Sequence, residues 1–203
     1  MPDATKRPYH HGDLRRTIIE TALEMLHEGK GWRFTLREVA RRAGVSHAAP
    51  YKHFPDKASL LAEMALLGFD RLREALAAAE LQPATSLREE FFAMAQAYVR
   101  FGVSTPALYR LMFSTEGGRA VDLHLHERAL AAFGVVIALL ERGQSMGILR
   151  KRDVRGQATA CWAQMHGVTL LTIDGLLLPE KVGPAPLDNA LLALLEGLEV
   201  SKG

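Results

Sequence analysis

The sequence predicts an all-α protein: a helix-turn-helix, three-helix head joined to a larger helical body. Three observations carry this prediction. Apolar residues recur at the three-and-four spacing of one helix face through most of the chain. Side chains suited to helix N-caps (Thr35, Ser46, Asp56, Ser86, Asp153) stand at the starts of those segments. Only LLTI-Asp174-Gly175-LLL looks like two strands around a turn, and its apolar runs do not alternate.

Residues 1–12 hold Pro2, Pro8 and Gly12 without apolar periodicity, and read as a flexible arm. From residue 13 one face carries Leu14, Ile18, Ala22 and Met25/Leu26, and Gly29 and Gly31 end that helix. Thr35 caps a short helix with Leu36, Val39 and Ala40 inward, closed by Gly44. Ser46 caps a second short helix through Lys52, made irregular by Pro50 at about its fourth position. After Pro55, Asp56 caps a long helix with Leu60, Leu61, Met64, Leu67, Leu72 and Leu76 inward. Beyond Pro83, Ser86 and Glu89 have capping-box spacing before Phe91, Met94, Tyr98 and Phe101. Pro106 suits the first position of a further turn of helix. Past a Gly117-Gly118 loop, a helix from about Arg119 to Gly143 is expected to bury Leu130, Phe133, Ile137 and Leu140. Asp153 caps a helix with Ala158, Cys161/Trp162, Met165, Thr169 and Ile173, broken at Gly175. The last helix follows Pro184 and Pro186, with Leu187, Leu191, Leu194/Leu195 and Leu198 on one side.

The chain's 203 residues suffice for a large core without staples, and its single cysteine, Cys161, excludes an internal disulfide framework. The apolar stretch from Ala129 to Leu140 is too short to span a bilayer. The first residues lack the apolar core of a signal peptide, so the expectation is a soluble, cytoplasmic protein without a membrane partner. The formal charge of +2 hides an asymmetry: residues 1–60 hold 11 Lys+Arg against 7 acids, and five of the eight histidines. A basic head on a mildly acidic, apolar body suits contact with a polyanion.

Residues 35–53 place two capped helices and a glycine-containing turn in helix-turn-helix spacing, in which the second helix enters a DNA major groove. Ala48 and Ala49 let that helix approach base edges closely, with His47 and Lys52 in reach of groove atoms. Ser46, Tyr51, His53 and Lys57 supply donors for phosphate oxygens. A plain helical hairpin with Val45, Tyr51 and Phe54 in its core is the alternative.

The segment TLREVARRAGVSHAAPYKHFPDKASL (Thr35–Leu60) resembles the DNA-binding signature of the tetracycline-repressor (TetR) family, as does the preceding YHHGDLRR. PALYRLMF and Trp162…His166-Gly167 resemble the WHG type of C-terminal domain. Ala48-Ala49-Pro50 departs from the Gly-Thr-Leu of many members. The resemblance implies phosphate contacts from Thr35, Ser46, Tyr51, His53 and Lys57. It places Arg37, His47, Ala48, Ala49 and Lys52 at or near bases. Arg7, Arg15 and Arg16 would add contacts from the arm or remain a solvated surface.

His124-x-His126 is the one metal-like pair, but positions two apart point to different sides of a helix, so no metal or cofactor is expected. No nucleophile elbow or phosphate loop occurs, and Cys161 lies on an apolar face, so an enzyme is not expected. Met and aromatic residues in the body either pack or enclose an apolar cavity. The resemblance adds a small apolar or amphipathic effector, with Phe113, Phe133, Trp162, Met165 and His166 as its candidate contacts; alternatively Gly167 simply lets two helices approach and His166 packs.

The expected organisation is therefore an arm (1–12), a DNA-binding helix-turn-helix domain (13–56) and an effector-binding, dimerising body (57–203). The expected function is a ligand-responsive repressor that reads a palindromic operator as a homodimer through helices near 153–178 and 186–200, with Leu191 and Leu195 at the contact. A DNA-binding regulator without effector, and a helical ligand carrier or enzyme, are the rival readings.

Overall fold

The computed structural model describes residues 14–80, 86–114 and 120–200; the arm, the Pro83 break and the Gly117-Gly118 loop lie outside them. Helix α1 (Leu14–Met25) buries Ile18, Ala22 and Leu23, then continues as a π turn, Leu26–Lys30. Thr35 and Glu38 form a reciprocal capping box. The Thr35 hydroxyl accepts from the Glu38 N–H at 3.2 Å, and the Glu38 carboxylate accepts from the Thr35 N–H at 2.7 Å. This starts α2 (Leu36–Arg42), whose inner face is Leu36, Val39 and Ala40. Arg42 then forks onto Glu28, with one N···O distance of 2.6 Å, and fastens the end of α2 to the π turn.

The second hairpin helix does not form as an α-helix. Residues 47–49 make a turn and Pro50–Lys52 a single 3₁₀ turn. Pro50 has no N–H to donate to the Ser46 carbonyl, which accepts instead from Ala49 at 2.9 Å. The chain then leaves this turn for α3 (Lys57–Glu80), whose cap, the Asp56 carboxylate, accepts from the Ser59 N–H and hydroxyl, each at 2.7 Å.

α3 is the spine of the molecule. It buries Leu60, Leu61, Met64, Leu72 and Leu76, and packs against α1 on one side. Its other partners are α4 (Leu87–Ser104), α5 (Pro106–Met112) and α7 (Glu127–Ser145). The Ser86 hydroxyl accepts from the Glu89 N–H at 3.2 Å, as the spacing predicts.

The helix expected over 119–143 is two helices, α6 (Ala120–His124) and α7, separated at Leu125-His126. His126 restarts the chain by accepting the Arg128 N–H on its Nδ1 at 3.2 Å. The restart sets the register: Ala129, Ala132, Leu139 and Leu140 are buried, Phe133 and Ile137 are half-buried, and Leu130 is 48% exposed rather than inward. Alanines on the inner face leave space behind them.

α8 (Val154–Ile173) begins where the Asp153 carboxylate accepts the Gly156 N–H at 2.6 Å. It packs closely on α4 at Gly102, where an added Cβ would stand 2.2 Å from Thr169 Cγ2. Gly167 has no such neighbour within 4 Å, so within one chain it is not the close-approach residue. Short α9 (Pro179–Val182) precedes α10 (Pro186–Leu198), which buries Leu191, Leu195 and Leu198 within its own chain. The isolated pairing of Leu149 with Glu199 ties the end of α10 to the α7–α8 turn; among the described residues no longer strand pairing occurs.

Candidate nucleic-acid interface and internal cavity

The turn between α2 and the 3₁₀ segment is made by Gly44 at φ +70°, a left-handed conformation that glycine adopts without strain. It leaves Arg37, Ser46, His47, Ala48, Tyr51, Lys52 and His53 exposed on the same end of the molecule as Thr35. Lys57 is half-buried, with Nζ 5.8 Å from the centre of the Phe34 ring. Tyr51 is 49% exposed whereas Phe54 is buried, so the core role considered for both falls to Phe54 alone.

Two residues differ from expectation. Ala49 is 7% exposed, because the tighter 3₁₀ winding turns it and Pro50 toward the core. The Thr35 hydroxyl also donates to the Glu38 carboxylate at 2.9 Å, so it is already engaged in its cap. Of the arm-side arginines, Arg15 pairs with Glu63 at 2.8 Å and lies 5.5 Å from the Phe54 ring centre; Arg16 pairs with Glu20. Arg7 lies outside the described residues.

In the body, α3, α4, α7 and α8 enclose a cavity of about 310 Å³, at the small end of ligand pockets. Phe113, Phe133, Trp162 and Met165 line it. His166 does not. Its Nδ1 sits 2.7 Å from the Tyr109 hydroxyl, behind Phe113, whose ring centre is 4.5 Å from that of the imidazole. Tyr109 in turn meets the Tyr98 hydroxyl at 3.0 Å.

His124 is the imidazole of the wall that the sequence argument passed over as a metal candidate. It lies 5.4 Å from Phe69 and 5.5 Å from Phe113, ring centre to ring centre, and faces the cavity. Its signal was present in His124-x-His126, whose two imidazoles separate as helical spacing requires, one to the cavity and one to the α7 cap. Burial pushes both the Tyr98 hydroxyl and the Cys161 thiol up to about 12. It raises Tyr109 as well, and pulls His124 and His166 below the ordinary histidine value. These groups are therefore neutral near pH 7, and the thiol is inert.

Two family descriptions match the chain: bacterial regulatory proteins of the tetR family over residues 18–64, and the tetracyclin repressor-like C-terminal domain over residues 91–198. A nucleoid occlusion factor SlmA from Marinomonas sp. (strain MWYL1) is 42% identical over 48 residues, and the chain spans only 24% of that relative's length. A protein of unknown function from Rhodococcus sp. RHA1 is 32% identical, with a TM-score of 0.78 over 96% of this chain and 100% of that one. A bacterial regulatory protein in the tetR family from Rhodococcus RHA1 shares the fold at 20% identity. Its TM-score is 0.63 over 93% of this chain and 98% of the other. Among the described residues no helix is long and apolar enough to cross a membrane.

Proposed function

Because the chain belongs to the tetR family of bacterial regulatory proteins, DNA-binding regulators of transcription, we propose that it acts as a dimeric repressor in the cytoplasm. On this reading it holds a palindromic operator and is released from it by a small molecule. The head, residues 13–56, reads DNA: His47, Ala48 and Lys52 face base edges with Arg37 beside them. Ser46, Tyr51, His53 and Lys57 address phosphate oxygens, and Thr35 contributes chiefly by holding α2 in place. The body, residues 57–203, dimerises and binds the effector.

The observation that carries the effector reading is the position of Phe113. It forms part of the cavity wall and directly follows α5, which packs on the π turn at the end of α1. A ligand that moves Phe113 therefore acts on the head through α5, and through α3 as well. Such a ligand must favour the non-binding state by its own differential affinity.

Dimerisation is supported by α8, which leaves Ala160, Ala163 and Leu171 exposed, with Gly167 half-buried among them. Small residues at that spacing let a second copy approach closely. Leu191 and Leu195 face their own core and serve the fold instead. Two copies then read two half-sites related by the same two-fold axis.

The test is capture of genomic fragments by the purified protein, followed by release with compounds that fill the cavity. Retained fragments should share an inverted repeat, and retention should fall steeply with salt. Fragments without such a repeat would overturn the operator reading. A compound that fills the cavity and leaves retention unchanged would favour a regulator without effector.

A further inference from the structure

The polar content of the cavity wall defines what the cavity can hold. Among the described lining residues none carries a formal charge; the walls are chiefly Phe, Leu, Met and Ala side chains. An ionised ligand would lose its hydration there and find no counter-charge. The two hydroxyls of the wall are also spoken for. The Thr159 hydroxyl donates to the Arg155 carbonyl at 2.8 Å. The Tyr98 hydroxyl meets that of Tyr109 at 3.0 Å. His124 differs: it lines the cavity, no hydrogen bond among the described residues engages its imidazole, and burial favours the neutral ring, which always keeps one acceptor nitrogen. Of the wall's side chains it is therefore suited to receive a proton donor from a guest.

We propose that the cavity takes an uncharged, largely apolar molecule whose single hydroxyl donates a hydrogen bond to His124. This rests on the cavity being the effector site, and it narrows the effector class to compact alcohols and phenols. Carboxylates, ammonium compounds and phosphorylated ligands are excluded. The size agrees: about 310 Å³ accommodates a two-ring or short-chain molecule rather than a large conjugate. Leu130 and Trp162, both lining residues and 48% and 38% exposed, stand where such a molecule would enter.

Calorimetric titration of the full chain with 2-naphthol, 2-methoxynaphthalene and 2-naphthoate tests this without DNA. The wild type should bind 2-naphthol about tenfold more tightly than the methyl ether, the effect of one hydrogen bond. It should bind the carboxylate more weakly still. His124→Phe should keep the fold and erase the preference for the hydroxyl, and Leu130→Trp, at a half-exposed position, should weaken all binding. Carboxylate binding as tight as naphthol, a hydroxyl preference that survives His124→Phe, or binding of none of the three would overturn the proposal. Because no operator is present, a preference seen here alongside unchanged DNA affinity would sink only the effector reading.

Discussion

The Tyr109 hydroxyl lies 2.7 Å from Nδ1 of His166, joining α5 to α8 across 57 positions of sequence. Tyr109 is fully buried, and its ring is packed against Phe113 at 4.9 Å and stacked on His166 at 5.5 Å. The helix that reaches toward the head is thus fastened to the helix proposed as the dimer contact, directly behind the cavity wall.

Removing that hydroxyl leaves Tyr98 and His166 each short of a partner. Tyr109→Phe should cost about 1–3 kcal/mol, the penalty of unsatisfied buried polar groups. Urea unfolding measures it. A loss below about 0.5 kcal/mol would show that water replaces the hydroxyl.

Acid should loosen the body before it affects other groups. Burial lowers His124, with the Met112 carbonyl opposing; burial and then the charge of His124 lower His166. Below the ordinary value of 6.5 the unfolded chain therefore binds more protons at these two sites. Their contribution is present above that pH and is lost as pH falls. Thermal melts between pH 7 and 5 should show a falling midpoint, and the double variant His124→Gln, His166→Gln should flatten that slope. Asp56, held low by its bonds to Ser59, adds its own loss only in the carboxylate range.

DNA contacts should separate into two classes. Tyr51→Phe and Lys57→Ala should weaken operator and random duplex alike, whereas His47→Ala and Lys52→Ala should reduce discrimination by about 1–3 kcal/mol. Competition gel shifts distinguish these outcomes. Ala49→Ser, at a buried position, should alter stability rather than sequence preference.

Glu63 connects cavity and head. Its carboxylate holds Arg15 of α1 at 2.8 Å and Arg128 of α7 at 3.0 Å, and Arg128 also holds Asp70 at 2.8 Å. Arg128 is two positions from Leu130, at the cavity's edge. Glu63→Gln should leave 2-naphthol affinity unchanged and reduce operator release by up to about fivefold, in keeping with partly exposed ion pairs. Parallel titrations with and without operator would reveal whether both change together, which would refute the link.

The dimer contact is expected on the exposed side of α8. Ala163→Glu should yield folded monomers with weak DNA binding. Leu191→Ala should keep the dimer and cost about 2–5 kcal/mol of stability, as for a buried leucine. Light scattering that finds the wild type monomeric at micromolar concentration would contradict the proposal.

Most element starts were readable from sequence because a cap is a local event. Thr35 with Glu38, Asp56 with Ser59, Ser86 with Glu89 and Asp153 with Gly156 each satisfy helix-end N–H groups three residues away. The exposed hairpin residues and four of the five cavity candidates were readable too, since helical spacing assigns faces. The remainder depended on partners distant in sequence. Where α7 restarts after Leu125 turned Leu130 outward and Ala132 inward, which opened the cavity; no periodic pattern across that break carries such a phase. His124 reached the cavity because Phe69, 55 positions earlier on α3, stands opposite it. His166 was drawn off the wall by Tyr109, and Leu191 and Leu195 were claimed by their own core before any second chain could use them. Local hydrogen bonds are specified within one turn of backbone, whereas helix register and side-chain destination are settled only when packed helices compete for the same volume.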